Sequence, residues 1–542
     1  MESVSRINSD SFHYHKKGVI DESEYYEKKY SHIHRNYNIV IALGNYMDRT
    51  KKGCYIDEYY TYTLTNGIHL GIDIKDGEWN STNNFFEELV TREVDRFDFV
   101  QTCKNTADDV HPPVYYLVLN VISSLFPGKF SLWFALGINI VCFLMVSFLL
   151  YRCAILLTEN SVLSLLVVMA YAINPSTVTG LVYLRMYFLF SVFAVAYVYL
   201  HMKMLKQGDM IPRRVIPLII IGFLGFLTHY YMLFVMFCIS FFFAVYFFFI
   251  KKQYIKTVLY GVSIALSLVM AYLVWPVSYF HMFKGYRGKG ATKSLLDFEK
   301  LLSRVIFFME KYSDKVLGRA GLLVFLLVVV LLVLNIKKKT IKENFEIIFR
   351  FLVPALGIVG YFFLVSFTAL VVDYSNRYEF PIIGLTILYL VISLYFLFTR
   401  INISEKRALV IVCSIFIIFS GVGYLSKEVD FLYRQQAKID EYINEHKDAD
   451  VVVFSRGNYD ALIGDLVKFP RVFIAGKEKT EEMMENGIQD ETLCTSQEIL
   501  FYAENGSNVE KLKGMILENN KKLSQVEKLW ECNDFFSIYR VF

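Results

Sequence analysis

Apolar residues gather into ten long runs, at 131 to 152, 161 to 178, 184 to 203, 215 to 228, 230 to 250, 255 to 276, 320 to 336, 346 to 370, 378 to 398 and 407 to 425. Crossing about 30 Å of hydrocarbon takes roughly 20 helical residues, and a helix satisfies its own backbone groups against lipid, so each run predicts a membrane helix. The fourth is short for a separate crossing. After 425 the chain turns polar, with apolar stretches Val451 to Phe454, Val472 to Ile474, Ile499 to Tyr502 and Phe535 to Phe542 and a helical segment around Glu510 to Leu517. Short strands alternating with helical stretches predict a compact α/β domain. The pattern divides the chain into a polar segment 1–53, a first outer loop with juxtamembrane helices 54–130, a transmembrane domain 131–425 and the α/β domain 426–542.

Composition agrees with a polytopic membrane protein: 55% of the 542 residues are hydrophobic, 17% are aromatic, and the mean hydropathy is +0.39. A net charge of +4 is small for this length and points to no nucleic-acid partner. The charges report topology instead. Lys203, Lys206, Arg213 and Arg214 form one basic cluster, Lys251, Lys252 and Lys256 a second, Lys337, Lys338, Lys339 and Lys342 a third, and Arg400, Lys406 and Arg407 a fourth. Every second loop is basic, which by the positive-inside rule makes those loops cytoplasmic. Residues 1–130, the turns near 180, 229 and 374, the loop 277–319 and the tail after 425 then face outward. The loop 277–319 departs from the rule, with nine Lys or Arg against four acids. Either a helix is miscounted or those charges contact phosphates.

An outward region 1–130 needs a means of export. The first 38 residues are polar, Ile39 to Leu43 is too short to cross, and no signal-peptide pattern is visible. The expectation is that a first transmembrane helix is missing, through a misplaced start or a rearranged gene, or that the next membrane helix carries the terminus across.

Cys142, Cys153, Cys238 and Cys413 fall in apolar runs, where a thiol behaves as a small hydrophobe. Cys54 with Cys103, and Cys494 with Cys532, could pair in an oxidising exterior, although their spacing does not demand it. No CxxC pair or HExxH motif points to a zinc site. The 426–542 region has no glycine loop for a nucleotide, and support or recognition is its expected role.

Candidate chemistry lies just ahead of the helices. Asp57-Glu58-Tyr59-Tyr60-Thr61-Tyr62 is followed some fifty residues later by Asp109-Val110-His111-Pro112-Pro113-Val114-Tyr115-Tyr116, in which two prolines lead into a helix from Val114. That segment suits an interfacial helix better than a crossing. Leu184-Arg185-Met186-Tyr187, Thr228-His229-Tyr230-Tyr231 and Asn376-Arg377-Tyr378 stand at helix ends that the charge pattern places outside.

Together these five motifs resemble the GT-C glycosyltransferases, in particular the bacterial family 39, or protein O-mannosyltransferase-like, branch, over about residues 54–425. The His-Pro-Pro-x-Tyr-Tyr run is the most specific part. Members of that superfamily carry a helix before the acidic pair, the element expected to be missing here. The resemblance implies transfer of a sugar from a polyprenyl-phosphate carrier to an acceptor outside the cytoplasm, a polymer, lipid or protein of the cell envelope, with inversion at the anomeric carbon.

Such a reaction needs a base for the acceptor proton, groups that hold the departing phosphate, and alignment for in-line attack. The resemblance makes Asp57 the candidate base, with Glu58 orienting the acceptor; the two could exchange roles. Acids also favour helix amino ends, so the pair could simply cap a helix. Asp109, His111 and Tyr115 would shape the substrate pocket, and His111 could equally bond backbone at a helix start. Arg377, with Tyr378, is assigned to the carrier phosphate. Arg185, with Tyr187, is assigned to the sugar phosphate or to an acidic partner, while either arginine could also snorkel to headgroups. His229 is a weaker binding candidate. The loop 277–319, with Lys284, Arg287, Lys289 and Lys293 among Gly285, Gly288 and Gly290, reads as a flexible lid over the phosphate or a segment on anionic headgroups. A divalent cation on Asp57 and His111 is a further possibility, on few ligands. Two other classes compete. A transporter or flippase of lipid-linked sugars would place its ionisable residues near the midplane, and a catalytically degenerate scaffold would need none of these motifs.

Overall fold

The computed structural model describes residues 50–68, 74–208, 212–317, 345–369, 377–426, 429–532 and 535–542. The chain divides into two compact units, Met1–Lys52 and Gly53–Phe542, and the second carries the helices and the sheet. Before the membrane come helices α1 (Ile56–Asn66), α2 (Asn83–Leu89), α3 (Phe99–Asp108) and α4 (Val114–Leu125). At 12 residues, apolar α4 is too short to cross a bilayer, as its sequence predicts. Then come α5 (Leu132–Thr158), α6 (Ser161–Ile173), α7 (Pro175–Val182), α8 (Tyr187–Gln207), α9 (Pro212–Phe226), α10 (Met232–Val245), α11 (Tyr254–Val274), α12 (Tyr286–Leu296), α13 (Leu301–Leu317), α14 (Phe345–Thr368), α15 (Phe380–Arg400) and α16 (Glu405–Leu425).

Among the described residues seven helices are long and apolar enough to span, and eight if α6 and α7 count as one span bent by 59°. The run 215–228 yields only the short apolar helix Val215–Phe226, and the run 320–336 lies outside the described residues. Two-thirds of α8 and of the span Arg377–Arg400 is buried (67% each), against 22% of α11 and 28% of α16, so the first two form the centre and the last two the rim.

The continuous crossing expected at 161–178 is broken at Asn174-Pro175. Proline cannot continue the hydrogen-bond ladder, and the Asn174 side chain restarts it by accepting from Ser176 N at 3.0 Å. A second break, Tyr183 to Met186, separates α7 from α8. Unwound backbone survives at this depth only where protein satisfies it: Asn139 on α5 donates to the carbonyls of Leu181 and Tyr183 at 3.0 and 2.8 Å.

The 277–319 region differs from the flexible loop expected of its glycines. It is largely helical, through α12 and α13, and Gly288 serves close packing: a Cβ there would stand 2.2 Å from the Met282 carbonyl oxygen. The cysteine pairings do not form either, since Cys103 and Cys494 carry free thiols.

The α/β domain is a six-stranded sheet of β1 (Glu78–Ser81), β2 (Asp450–Phe454), β3 (Arg471–Ala475), β4 (Ile499–Glu504), β5 (Val526–Cys532) and β6 (Phe536–Val541), in the order β1-β3-β2-β4-β6-β5. β3, β2 and β4 run parallel; β1 joins antiparallel to β3, with Trp79 opposite Phe473, and β4-β6-β5 continue antiparallel. Side chains alternate faces along each strand. Val451, Val453, Leu500 and Tyr502 pack with Ile439 and Ile443 of helix α17 (Gln436–Glu445) on one face. Val452, Phe454 and Phe501 pack with Leu512 and Ile516 of helix α18 (Val509–Asn519) on the other. β1 comes from the segment ahead of the membrane helices, and Ile56 of α1 lies in the first of these cores. Helix α1 is also tied to the membrane helices, because the Tyr62 hydroxyl donates to the Ser131 carbonyl at 2.7 Å just ahead of α5.

Candidate functional site

Helix α1 begins with a capping box: Glu58, at the third helical position, accepts from the Tyr55 backbone N–H at 2.7 Å. Its second oxygen accepts from Leu184 N at 2.7 Å, within the break between α7 and α8. Glu58 is fully buried. One side chain therefore starts α1 and docks it onto the unwound backbone, which brings Asp57 to Tyr183 and Arg185.

Asp57 is the hub. The Tyr183 hydroxyl donates to Asp57 Oδ2 at 2.8 Å, and Arg377 forms an ion pair with the same oxygen. Arg377 Nη1 also donates to the Tyr183 hydroxyl at 3.3 Å, and its guanidinium lies over the Tyr378 ring, 5.1 Å from the centroid. Arg185, buried, donates from Nη1 to the Asp57 carbonyl at 2.8 Å and from Nη2 to His111 Nε2 at 3.1 Å. Arginine only donates, so His111 Nε2 must accept and the ring proton sits on Nδ1, facing Asp109 Oδ2. The order Asp109–His111–Arg185–Asp57–Arg377 is a continuous hydrogen-bonded chain across four parts of the sequence.

Electrostatics follow from this chain. Burial pushes the Asp57 carboxyl up, but Arg185, Arg377 and the Tyr183 hydroxyl outweigh it, and the group stays below the ordinary carboxylate value. Asp109, also pushed up by burial, is brought down to about 2 by His111 and Arg185. For His111, burial is the largest influence and lowers it; Asp109 opposes and Arg185 assists, so the imidazole is held neutral more firmly than usual.

The remaining expected residues surround this chain without touching Asp57. Tyr187 stacks on Tyr183 at 5.8 Å and 15°. His229 stacks on Phe190 at 5.1 Å, accepts from Tyr231 N at 3.1 Å, and is driven by burial, then by His111 and the arginines, to about 3. Tyr115 is fully buried against Tyr116, and neither hydroxyl has a hydrogen-bond partner among the described residues. Arg287, on α12, is within electrostatic reach of Arg377 and Tyr378.

A divalent cation does not suit this arrangement. Among the described residues no group of three or more His, Cys, Asp or Glu is placed to hold a metal. The His111 nitrogens are committed to Asp109 and Arg185, and two guanidiniums already neutralise Asp57.

Sequence reasoning passed over Tyr183, although it adjoins Leu184-Arg185-Met186-Tyr187, and Phe431, whose ring lies on Tyr183. The first could have been found from its place at a helix break. For the second, nothing local in the sequence distinguishes it.

These features define a polytopic helical membrane protein with a small α/β domain and a charged, partly buried cluster at one end of its helices. No protein-family model and no curated protein matches the chain. Among solved structures it is similar to ArnT from Cupriavidus metallidurans bound to undecaprenyl phosphate, at 10% identity over 89% of this chain and 95% of that one, with a TM-score of 0.45. It is likewise similar to the same protein in the apo state, at 11% identity over 94% and 98%, with a TM-score of 0.43. Likeness at this level carries no residue-by-residue correspondence.

Proposed function

We propose that the protein is a membrane glycosyltransferase of the GT-C type that moves a sugar from a polyprenyl-phosphate carrier to an acceptor on the extracytoplasmic side, with Asp57 as the base. The observation that carries this reading is the convergence of a carboxylate, two arginines and a neutral histidine from distant motifs on one unwound helix junction. A transporter would instead have its charges at mid-depth.

In the proposed reaction an acceptor hydroxyl attacks the anomeric carbon from the face opposite the phosphate. The new C–O bond forms as the bond to the phosphate oxygen breaks, the configuration inverts, and polyprenyl phosphate departs. Asp57 takes the acceptor proton. An Asp57 paired with Arg377 is a weak base, so the proposal includes a change of partner: the carrier phosphate draws Arg377 from Asp57, helped by the basic helix α12, and the carboxylate regains its affinity for a proton. Arg185 then keeps the Asp57 backbone and His111 in place. Glu58 supports α1 rather than contacting the acceptor, because its two oxygens are taken by backbone amides. Asp109, His111, Tyr187, His229 and Tyr378 line the approach to the sugar, and Tyr115, fully buried, backs it through Tyr116.

The test is transfer in membranes supplied with a panel of polyprenyl-phosphate sugars. Wild type transfers, and Asp57→Asn loses at least about 100-fold, in the range expected for a general base. Unchanged transfer by the variant removes Asp57 from the chemistry. Absence of transfer by wild type across the panel favours a noncatalytic scaffold.

A further inference from the structure

Between the last membrane helix and the sheet domain, the chain passes beside Asp57 at Asp430 to Tyr433. Phe431 lays its ring on Tyr183, with centroids 4.1 Å apart and planes 16° from parallel, and meets Tyr55, the residue before α1, at 5.6 Å. Tyr183 is the residue whose hydroxyl donates to Asp57.

The passage is held under backbone tension. Phe431 and Tyr433 both adopt left-handed conformations, with φ of +63° and +46°, which bulky L-residues keep only when their surroundings enforce it. Such enforcement is present on both sides. The Asp430 N–H donates to Thr179 Oγ1 at 3.2 Å, on α7, and the Asp430 carboxylate pairs with Lys315 of α13 at 2.9 Å. Tyr433 packs close to Gly53, where a Cβ would meet the tyrosine Cβ at 3.1 Å. A few residues on, α17 enters the sheet-domain core through Ile439 and Ile443.

We propose that Phe431 is a positioning residue: by stacking on Tyr183 it aims that hydroxyl at Asp57, so that the linker to the sheet domain helps to set the geometry of the carboxylate. This gives the sheet domain a part in the site through its linker. The catalytic consequence rests on the reading of Asp57 as base, while the geometric claim stands without it. A phenol hydroxyl moves with its ring, and a ring free to tilt would trade its bond to Asp57 for water. The charged and titratable groups facing Asp57 are Arg185, Arg377, Tyr183 and His111, and Phe431 stacks on the Tyr183 ring, so the proposal routes a change in the proton affinity of Asp57 on altering Phe431 through Tyr183.

The test uses the full-length protein in detergent, labelled with a carbodiimide and an amine over a range of pH, with modification of Asp57 read by peptide mass spectrometry. Carbodiimide activates the protonated carboxyl, so the midpoint reports the proton affinity of Asp57. Tyr183→Phe raises the midpoint. Phe431→Gly, which suits the left-handed backbone and so spares the fold, raises it as well, with labelling at a fixed pH about threefold higher, as half a pK unit gives. Phe431→Tyr keeps the stack and the wild-type midpoint, and the Tyr183→Phe/Phe431→Gly double variant matches Tyr183→Phe alone. A wild-type midpoint in Phe431→Gly, an additive double variant, or failure of Phe431→Tyr to restore the midpoint overturns the proposal. Transfer by Asp57→Asn is measured separately, so loss of the base assignment and loss of the positioning role give different results.

Discussion

Replacing Glu58 with glutamine separates support from chemistry within the acidic pair. Glu58 is fully buried and accepts two backbone N–H groups, from Tyr55 and Leu184, both at 2.7 Å. A hydrogen bond to a charged group contributes about 1.5–3 kcal/mol, and a buried amide left without its acceptor costs about 1–3 kcal/mol. Glutamine keeps one oxygen and turns an NH2 toward the other amide, so one bond is lost and one donor is stranded. Against this, a neutral amide is easier to bury than a carboxylate, and the net cost is about 3 kcal/mol. Alanine loses both bonds and leaves a void, on the order of 5 kcal/mol. Denaturant unfolding of the purified protein in mild detergent, followed by far-ultraviolet ellipticity, measures both. In Glu58→Gln, α1 loosens from the Tyr183–Met186 break, so transfer falls together with stability. A Glu58→Gln protein within about 0.5 kcal/mol of wild type that has nonetheless lost transfer would refute this reasoning and give Glu58 a chemical role.

Two further outcomes are expected of the cluster. Arg377→Met leaves Asp57 with Arg185 and Tyr183, and the pair is partly open, with side-chain exposures of 12% and 23%, so its loss costs about 1–3 kcal/mol, less than a fully buried pair. The Asp57→Asn/Arg377→Met protein recovers part of that loss in the same unfolding measurement, and strict additivity would show that the two residues are not coupled. His111, whose value in the fold lies below its ordinary 6.5, binds a proton less readily folded than unfolded. Its contribution is complete above 6.5 and is lost as the pH falls below it, with a slope of up to about 1.4 kcal/mol per pH unit. Asp109, with an ordinary value of 3.8 and a folded value of about 2, keeps its share above 3.8 and loses it as the pH falls from there through 2. Unfolding free energies between pH 7.5 and 5 check this: His111→Gln flattens the slope, and an unchanged slope assigns the proton to another group.

By itself the sequence determined most of the membrane helices and the strands of the parallel sheet, because lipid and a two-sided core impose patterns that are local in the chain. It also placed Asp57, Arg185 and Arg377 within a few residues of helix ends, where a charge has to be exposed, paired or used. Four outcomes came only from the tertiary structure. The helix over 161–178 breaks at Pro175; β1, from ahead of the membrane helices, joins the distant sheet; Arg377 faces Asp57 rather than standing open to a phosphate; and Glu58 is spent on backbone amides. Strand partnership and ion pairing depend on which surfaces meet across hundreds of residues, and the energy of each contact depends on how much water the rest of the fold removes. Adjacent acids look alike along the chain. Their different fates were decided by the face of α1 on which each one falls: Glu58 against the buried backbone of Leu184, Asp57 against two guanidiniums and a phenol.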